Sequence, residues 1–144
     1  MSVVDRELIA ALIPHQGAMS LLARVAGWDA SSIVAVATSH RAGDHPLRAN
    51  GCLRAVHLCE YGAQAAALHG GLVARAAGAV AEPGYLVSLR DVSLACRRID
   101  DLAGDLQIRA ELLLQDSGSW QYRFTASHEA AILASGRLAI IRRK

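Results

Sequence analysis

Residues 51–71 form a helix-length run of small and apolar side chains that nevertheless carries an acid, Glu60. Its only other formal charge is Arg54, near the start. A carboxylate inside a core-type helix is costly unless it is paired, hydrogen-bonded or protonated. Glu60 is therefore either a structural partner or a working acid with a raised proton affinity. His57, Glu60 and Gln64 stand at i, i+3 and i+7 and make one polar stripe on an otherwise apolar cylinder. On spacing alone, the stripe fits a His–Glu pair on a half-exposed face as well as it fits a reaction site.

At 144 residues the chain reads as one domain, 1–144, with room for a true core. It is 53% hydrophobic and 19% charged, apolar enough to imply surface buried against another subunit. A net charge of +2 gives no reason to expect nucleic acid. The basic residues are uneven, however: Arg137, Arg142, Arg143 and Lys144 crowd the C-terminus, and Arg97 and Arg98 form a second pair. These read either as a solvated surface or as docking patches for an acidic protein or a phosphate. Cys52, Cys59 and Cys96 have neither CxxC nor zinc spacing, so they read as free thiols in a reducing compartment, with no metal site. The first 20 residues lack a basic start followed by an apolar block, and the 51–71 run contains Arg54, His57, Glu60, Gln64 and His69. The expectation is a cytoplasmic protein without a membrane span.

The order of elements is helix first, sheet last. Leu8, Ile9 and Leu12 give residues 4–12 a helical apolar stripe that Pro14 ends. Strands are expected at 19–25 and 32–39, then a polar loop over 40–50 with Pro, Gly, Asp and Asn. The apolar helix follows, from about 53 to 68, with Gly70-Gly71 as its stop and Gly62 marking close approach to another element. Beyond it, strands are expected at 85–96, 106–115, 120–127 and 132–142. Leu106, Ile108, Ala110 and Leu112 alternate with polar residues, with Leu113 the exception, and Trp120, Tyr122, Phe124 and Ala126 alternate likewise. Turns at 116–119 and 128–130 make these half-buried antiparallel hairpins. The result is an α+β layout in which the sheet has to cover the helix.

Two segments resemble one family. Glu60-Tyr61-Gly62-Ala63-Gln64 resembles the Glu-x-x-Ala-Gln helix motif of the hotdog-fold β-hydroxyacyl-(acyl carrier protein) dehydratases. Leu12-Ile13-Pro14-His15, with Leu21-Leu22-Ala23-Arg24-Val25, resembles their N-terminal signature, and Gly104-Asp105 falls where they carry Gly-Asp before the fourth strand. The resemblance spans the chain and is closest to dehydratase-like proteins of aryl polyene gene clusters, which share a His-Pro-Leu loop and the E-Y-x-A-Q helix. It implies a hotdog fold, a long central helix wrapped by a curved antiparallel sheet.

It also implies a site and a reaction. The catalytic pair carried over is His45, in Gly43-Asp44-His45-Pro46, with Glu60. They work across a dimer, His45 of one subunit facing Glu60 of its neighbour. Gln64 supports the carboxyl, Ala55 stands where the family offers a backbone N–H to the thioester oxygen, and His57 shares the helix face with Glu60. His15 matches a motif outside the site and is read as structural. The chain departs from the family in Asp44 and Pro46 flanking the histidine, in Arg54-Ala55 replacing Pro-Gly, and in Ala23 replacing an aspartate. The implied activity is dehydration of 3-hydroxyacyl thioesters to trans-2-enoyl thioesters in fatty-acid or polyene-type biosynthesis. An imidazole suits removal of the α-proton, and a carboxylic acid in an apolar tunnel suits the leaving hydroxyl. No cofactor or metal is needed. The implied partners are an acyl carrier protein bearing a phosphopantetheine thioester and a second hotdog subunit, identical or related, with no nucleic acid and no membrane. Two alternatives stay open: a non-catalytic partner subunit of a heterodimeric dehydratase, and an acyl thioesterase.

Overall fold

A computed structural model describes residues 4–13, 17–80 and 84–142. Pro14, His15, Arg143 and Lys144 lie outside the described residues. Helix α1 (Arg6–Leu12) is capped by Asp5, whose side chain accepts from the Leu8 amide at 3.1 Å, and it buries Ile9. Strands β1 (Arg24–Trp28) and β2 (Ser32–Ala37) form a hairpin. A 3₁₀ turn at Ala55–His57 then leads into the 19-residue helix α2 (Leu58–Ala76). Four long strands follow: β3 (Gly84–Leu94), β4 (Leu106–Asp116), β5 (Ser119–His128) and β6 (Ala131–Arg142).

All six strands join one antiparallel sheet in the order β1-β2-β4-β5-β6-β3. The sheet curves around α2, which packs on β2, β4, β5 and β6; this is the hotdog arrangement. The inward residues are those the alternation marks: Leu106, Ile108 and Ala110 on β4, and Tyr122, Phe124 and Ala126 on β5. Leu113, which breaks the alternation, sits at a bulge between Leu112 and Leu114. Gly62 is where helix and sheet come closest, since a Cβ there would lie 2.4 Å from Phe124 Cγ.

Two expectations need correction. Residues 19–23 are not strand: a 3₁₀ turn occupies Gly17–Met19, and β1 starts only at Arg24. The Met19 carbonyl and Leu21 amide are bonded by Gln64, and the Leu21 carbonyl by Ser39, so their polar groups point into the core instead of along a ladder. Nor does Gly70-Gly71 end the helix. Gly71 gives α1 room, since a Cβ there would lie 3.3 Å from Leu12, and α2 continues to Ala76. The stop is Gly78, at φ +74, where the Gly78 and Ala79 amides bond back to the Arg75 and Ala74 carbonyls in a Schellman motif.

Candidate functional site

The start of α2 is stitched to the β3–β4 connection. Ile99 donates to the Leu53 carbonyl, Leu53 to Asp100 Oδ1, and Ala55 to the Arg97 carbonyl at 3.0 Å. Asp100, bonded to Arg98, is held far below the usual carboxylate range. The Ala55 amide, read as a thioester-oxygen donor, is therefore already spent on Arg97, and Ala55 is 1% exposed. In this chain the Ala55 methyl is buried and the N–H closes a backbone bridge, so the amide is not open to a thioester oxygen as it stands.

One turn on, Glu60 is half-buried on the open side of α2. Gln64 Nε2 donates to Glu60 Oε1 at 3.2 Å and to the Met19 carbonyl at 2.7 Å, while Gln64 Oε1 accepts from the Leu21 amide at 2.9 Å. Gln64 is fully buried, so its amide is fixed from three sides and fixes the carboxylate in turn. Glu60 opens on a cavity of about 800 Å³ that continues along Ala63, Ala67, Gly70 and Ala74, with Trp120 on the sheet side. Small side chains at i, i+4, i+7 and i+11 leave this face of the helix low.

The cavity also reaches His69 and Tyr122, which sequence reading assigned no role at the site. His69 Nε2 lies 2.8 Å from the Asp29 carbonyl, so it carries the proton and donates there; Nδ1 accepts from the Tyr122 hydroxyl at 2.8 Å. Burial pushes the His69 ring toward the neutral form and raises the Tyr122 phenol. The signal was faint: a second histidine in the apolar run, and one tyrosine among inward aromatics.

His45 points elsewhere. The residue is 5% exposed, its ring is stacked 6.2 Å from Tyr61, and it does not line the cavity that Glu60 of the same chain opens on. Nδ1 accepts from the Leu47 amide at 3.1 Å, and Nε2 lies 3.1 Å from the Tyr61 hydroxyl. Since Nδ1 accepts, the neutral ring's proton is on Nε2 and goes to Tyr61. Tyr61 then donates to Ser39 Oγ at 2.8 Å, and Ser39 to the Leu21 carbonyl at 2.8 Å. Burial first, then the charges of His57 and Arg48, lower the proton affinity of His45. His57 is half-buried in the 3₁₀ turn that precedes α2. Within one chain, then, Glu60 and Gln64 are in contact, while His45 bonds Tyr61, the next residue on α2, and is linked through Ser39 to the backbone of Leu21 that Gln64 also holds. Among the described residues, no His, Cys, Asp and Glu group is placed to hold a metal. None of their helices is long and apolar enough to cross a membrane.

The helix, its curved sheet and the glutamate-bearing cavity define a hotdog-fold protein. Solved structures agree on the fold. The chain is similar to the dehydratase heterocomplex ApeI:P from Xenorhabdus doucetiae, at 24% identity over 94% of this chain and 91% of that one, TM-score 0.85. It is also similar to zebra fish thioesterase superfamily member 2, at 14% identity over 96% and 95%, TM-score 0.67. A third is S. sahachiroi AziG, at 14% over 92% and 98%, TM-score 0.66. No curated protein matches the sequence. The chain belongs to the ApeP-like family, described as ApeP dehydratase, whose sequence pattern matches residues 7–144.

Proposed function

We propose that this chain dehydrates 3-hydroxyacyl thioesters carried on an acyl carrier protein, in fatty-acid or polyene-type biosynthesis, as one half of a dimer of hotdog subunits. The observation that carries this reading is Glu60, clamped by Gln64 at the edge of an apolar cavity sized for an acyl chain. Membership of a dehydratase family supports it. Dimerisation is supported by β3, an edge strand that exposes Tyr85, Leu86, Val87, Leu89, Val92 and Leu94. Long apolar edges of this kind are normally covered.

In the proposed reaction, His45 of the neighbouring subunit takes the α-proton and the C–H electron pair passes into an enolate-like thioester. That pair then forms the C=C bond as the β C–O bond breaks. Glu60 delivers its proton to the departing hydroxyl, and one water leaves. Proton exchange through solvent returns His45 to neutral and Glu60 to the acid. For His45 to act, Leu47 has to release Nδ1, because a ring that donates at Nε2 and accepts at Nδ1 has no lone pair left for substrate.

The same bonds favour a second reading, in which this chain is the partner subunit of a heterodimeric dehydratase and its own histidine stays closed. Incubation with 3-hydroxyacyl carrier proteins of several lengths, followed by mass spectrometry, separates the two. Loss of water with this chain alone supports the first reading. Loss only after adding a related hotdog subunit, and undiminished by His45→Ala, supports the second. Release of free acid would overturn both.

A further inference from the structure

We propose that the His69–Tyr122 pair is a recognition point in the acyl cavity, where the Tyr122 oxygen accepts a hydrogen bond from a hydroxyl carried on the acyl chain away from its thioester end. That the bound molecule is an acyl chain rests on the dehydratase reading; the direction of the hydrogen bonds rests on geometry. The cavity wall is mostly alanine, glycine, leucine and valine. Of the histidine, tyrosine and amide side chains in it, Tyr85 and Gln115 are exposed, whereas His69 and Tyr122 are 1% and 2% exposed. An apolar pair of the same shape would hold α2 against β5 about as well, so a buried polar pair here points to a use beyond packing. His69 comes nine residues after Glu60 on α2, about 13 Å further along the helix axis. The pair therefore stands well away from the carboxyl and meets a different part of the ligand.

The β1–β2 turn sets the polarity of the pair. Asp29 Oδ1 accepts from the Ser31 and Ser32 amides at 2.9 and 2.8 Å, and the turn so formed places the Asp29 carbonyl 2.8 Å from His69 Nε2. A carbonyl can only accept, so Nε2 carries the ring proton and Nδ1 a lone pair. The single proton of the Tyr122 hydroxyl goes to that lone pair at 2.8 Å, with the two rings edge to face at 81°. Burial keeps the imidazole neutral and the phenol protonated, so this arrangement persists. The phenol proton is thus spent, and the Tyr122 oxygen can offer the cavity an acceptor but no donor. A hydroxyl completes it. A carbonyl or ether oxygen would set lone pair against lone pair, and a methylene leaves it as it is. A bond donated to the phenol oxygen also polarises its O–H, which strengthens the bond to His69.

The test is calorimetric titration of wild type and Tyr122→Phe with saturated acyl-pantetheine amides of several lengths, each with and without a hydroxyl at the far end of the chain. These probes have no 3-hydroxyl to lose, so binding is read apart from turnover. At one or more lengths, wild type should bind the hydroxylated probe at least as tightly as the plain one. Tyr122→Phe should weaken the hydroxylated probe about 10-fold and leave the plain one within about 2-fold. Nitrogen-15 spectra of the wild-type His69 ring, assigned with His69→Gln, carry the test if Tyr122→Phe fails to fold: the hydroxylated probe should shift Nδ1 and the plain one should not. Weaker binding of the hydroxylated probe at every length overturns the proposal, as does an equal loss of both probes in Tyr122→Phe or an Nδ1 that responds to neither. If the preference for the hydroxyl holds while wild type, alone or with a related subunit, removes no water from 3-hydroxyacyl carriers, the recognition point stands and the dehydratase reading fails. If water is lost and the preference is absent, the reverse is true.

Discussion

Glu60 and Gln64 differ in what their loss would do. Glu60→Gln keeps the shape and the bond to Gln64 but removes the titrating group. Dehydration should fall by about 10²-fold or more while stability stays within about 1 kcal/mol. Gln64→Ala strands the buried Leu21 amide and Met19 carbonyl, and should cost about 2–3 kcal/mol in urea unfolding. Three histidines give a pH signature. His40, His45 and His69 are all held below the ordinary value of 6.5, with burial the largest cause. Below that pH the unfolded chain binds protons the folded one resists, so stability is full above about pH 7 and falls as the pH drops below 6.5. His69→Gln should flatten that slope, and a stability that does not change over this range would contradict the burial. Glu60 and Gln64 were legible because a polar side chain in an apolar helical run has few uses. The spent Ala55 amide was not, because nothing local reveals that residues 97–99 pair with the start of the helix.

At the scale of elements, two glycines of α2 make opposite predictions. Gly62→Ala places a methyl 2.4 Å from Phe124 Cγ and should destabilise by about 1–3 kcal/mol through overpacking. Gly70→Ala meets nothing within 4 Å and should stabilise by about 0.5–1 kcal/mol, since only helix propensity changes. Chemical denaturation of both variants checks the pair. The close approach at Gly62 is legible in the sequence, whereas the local propensity of Gly70-Gly71 points to a stop that helix–helix contact with Leu12 overrides. The hairpin strands were legible from strict alternation over β4 and β5. Residues 19–23 misled because Leu21 and Leu22 are both fully buried, a pattern strands share with a segment threaded beneath a helix.

For the whole molecule, β3 is where the single chain looks unfinished. A charge at its middle, Leu89→Lys, should shift the protein toward monomer in light scattering at micromolar concentration and remove activity, with the monomer fold retained by circular dichroism. The proposed reaction needs Glu60 and His45 together to remove water from a carrier-bound 3-hydroxyacyl group. Mass spectrometry of a 3-hydroxyacyl carrier protein after incubation with wild type, Glu60→Gln and His45→Ala tests it most directly. Wild type should lose the mass of one water, and each variant should show a drop of about 10²-fold or more. Near-wild-type water loss by either variant, or free acid in place of enoyl thioester, would contradict it.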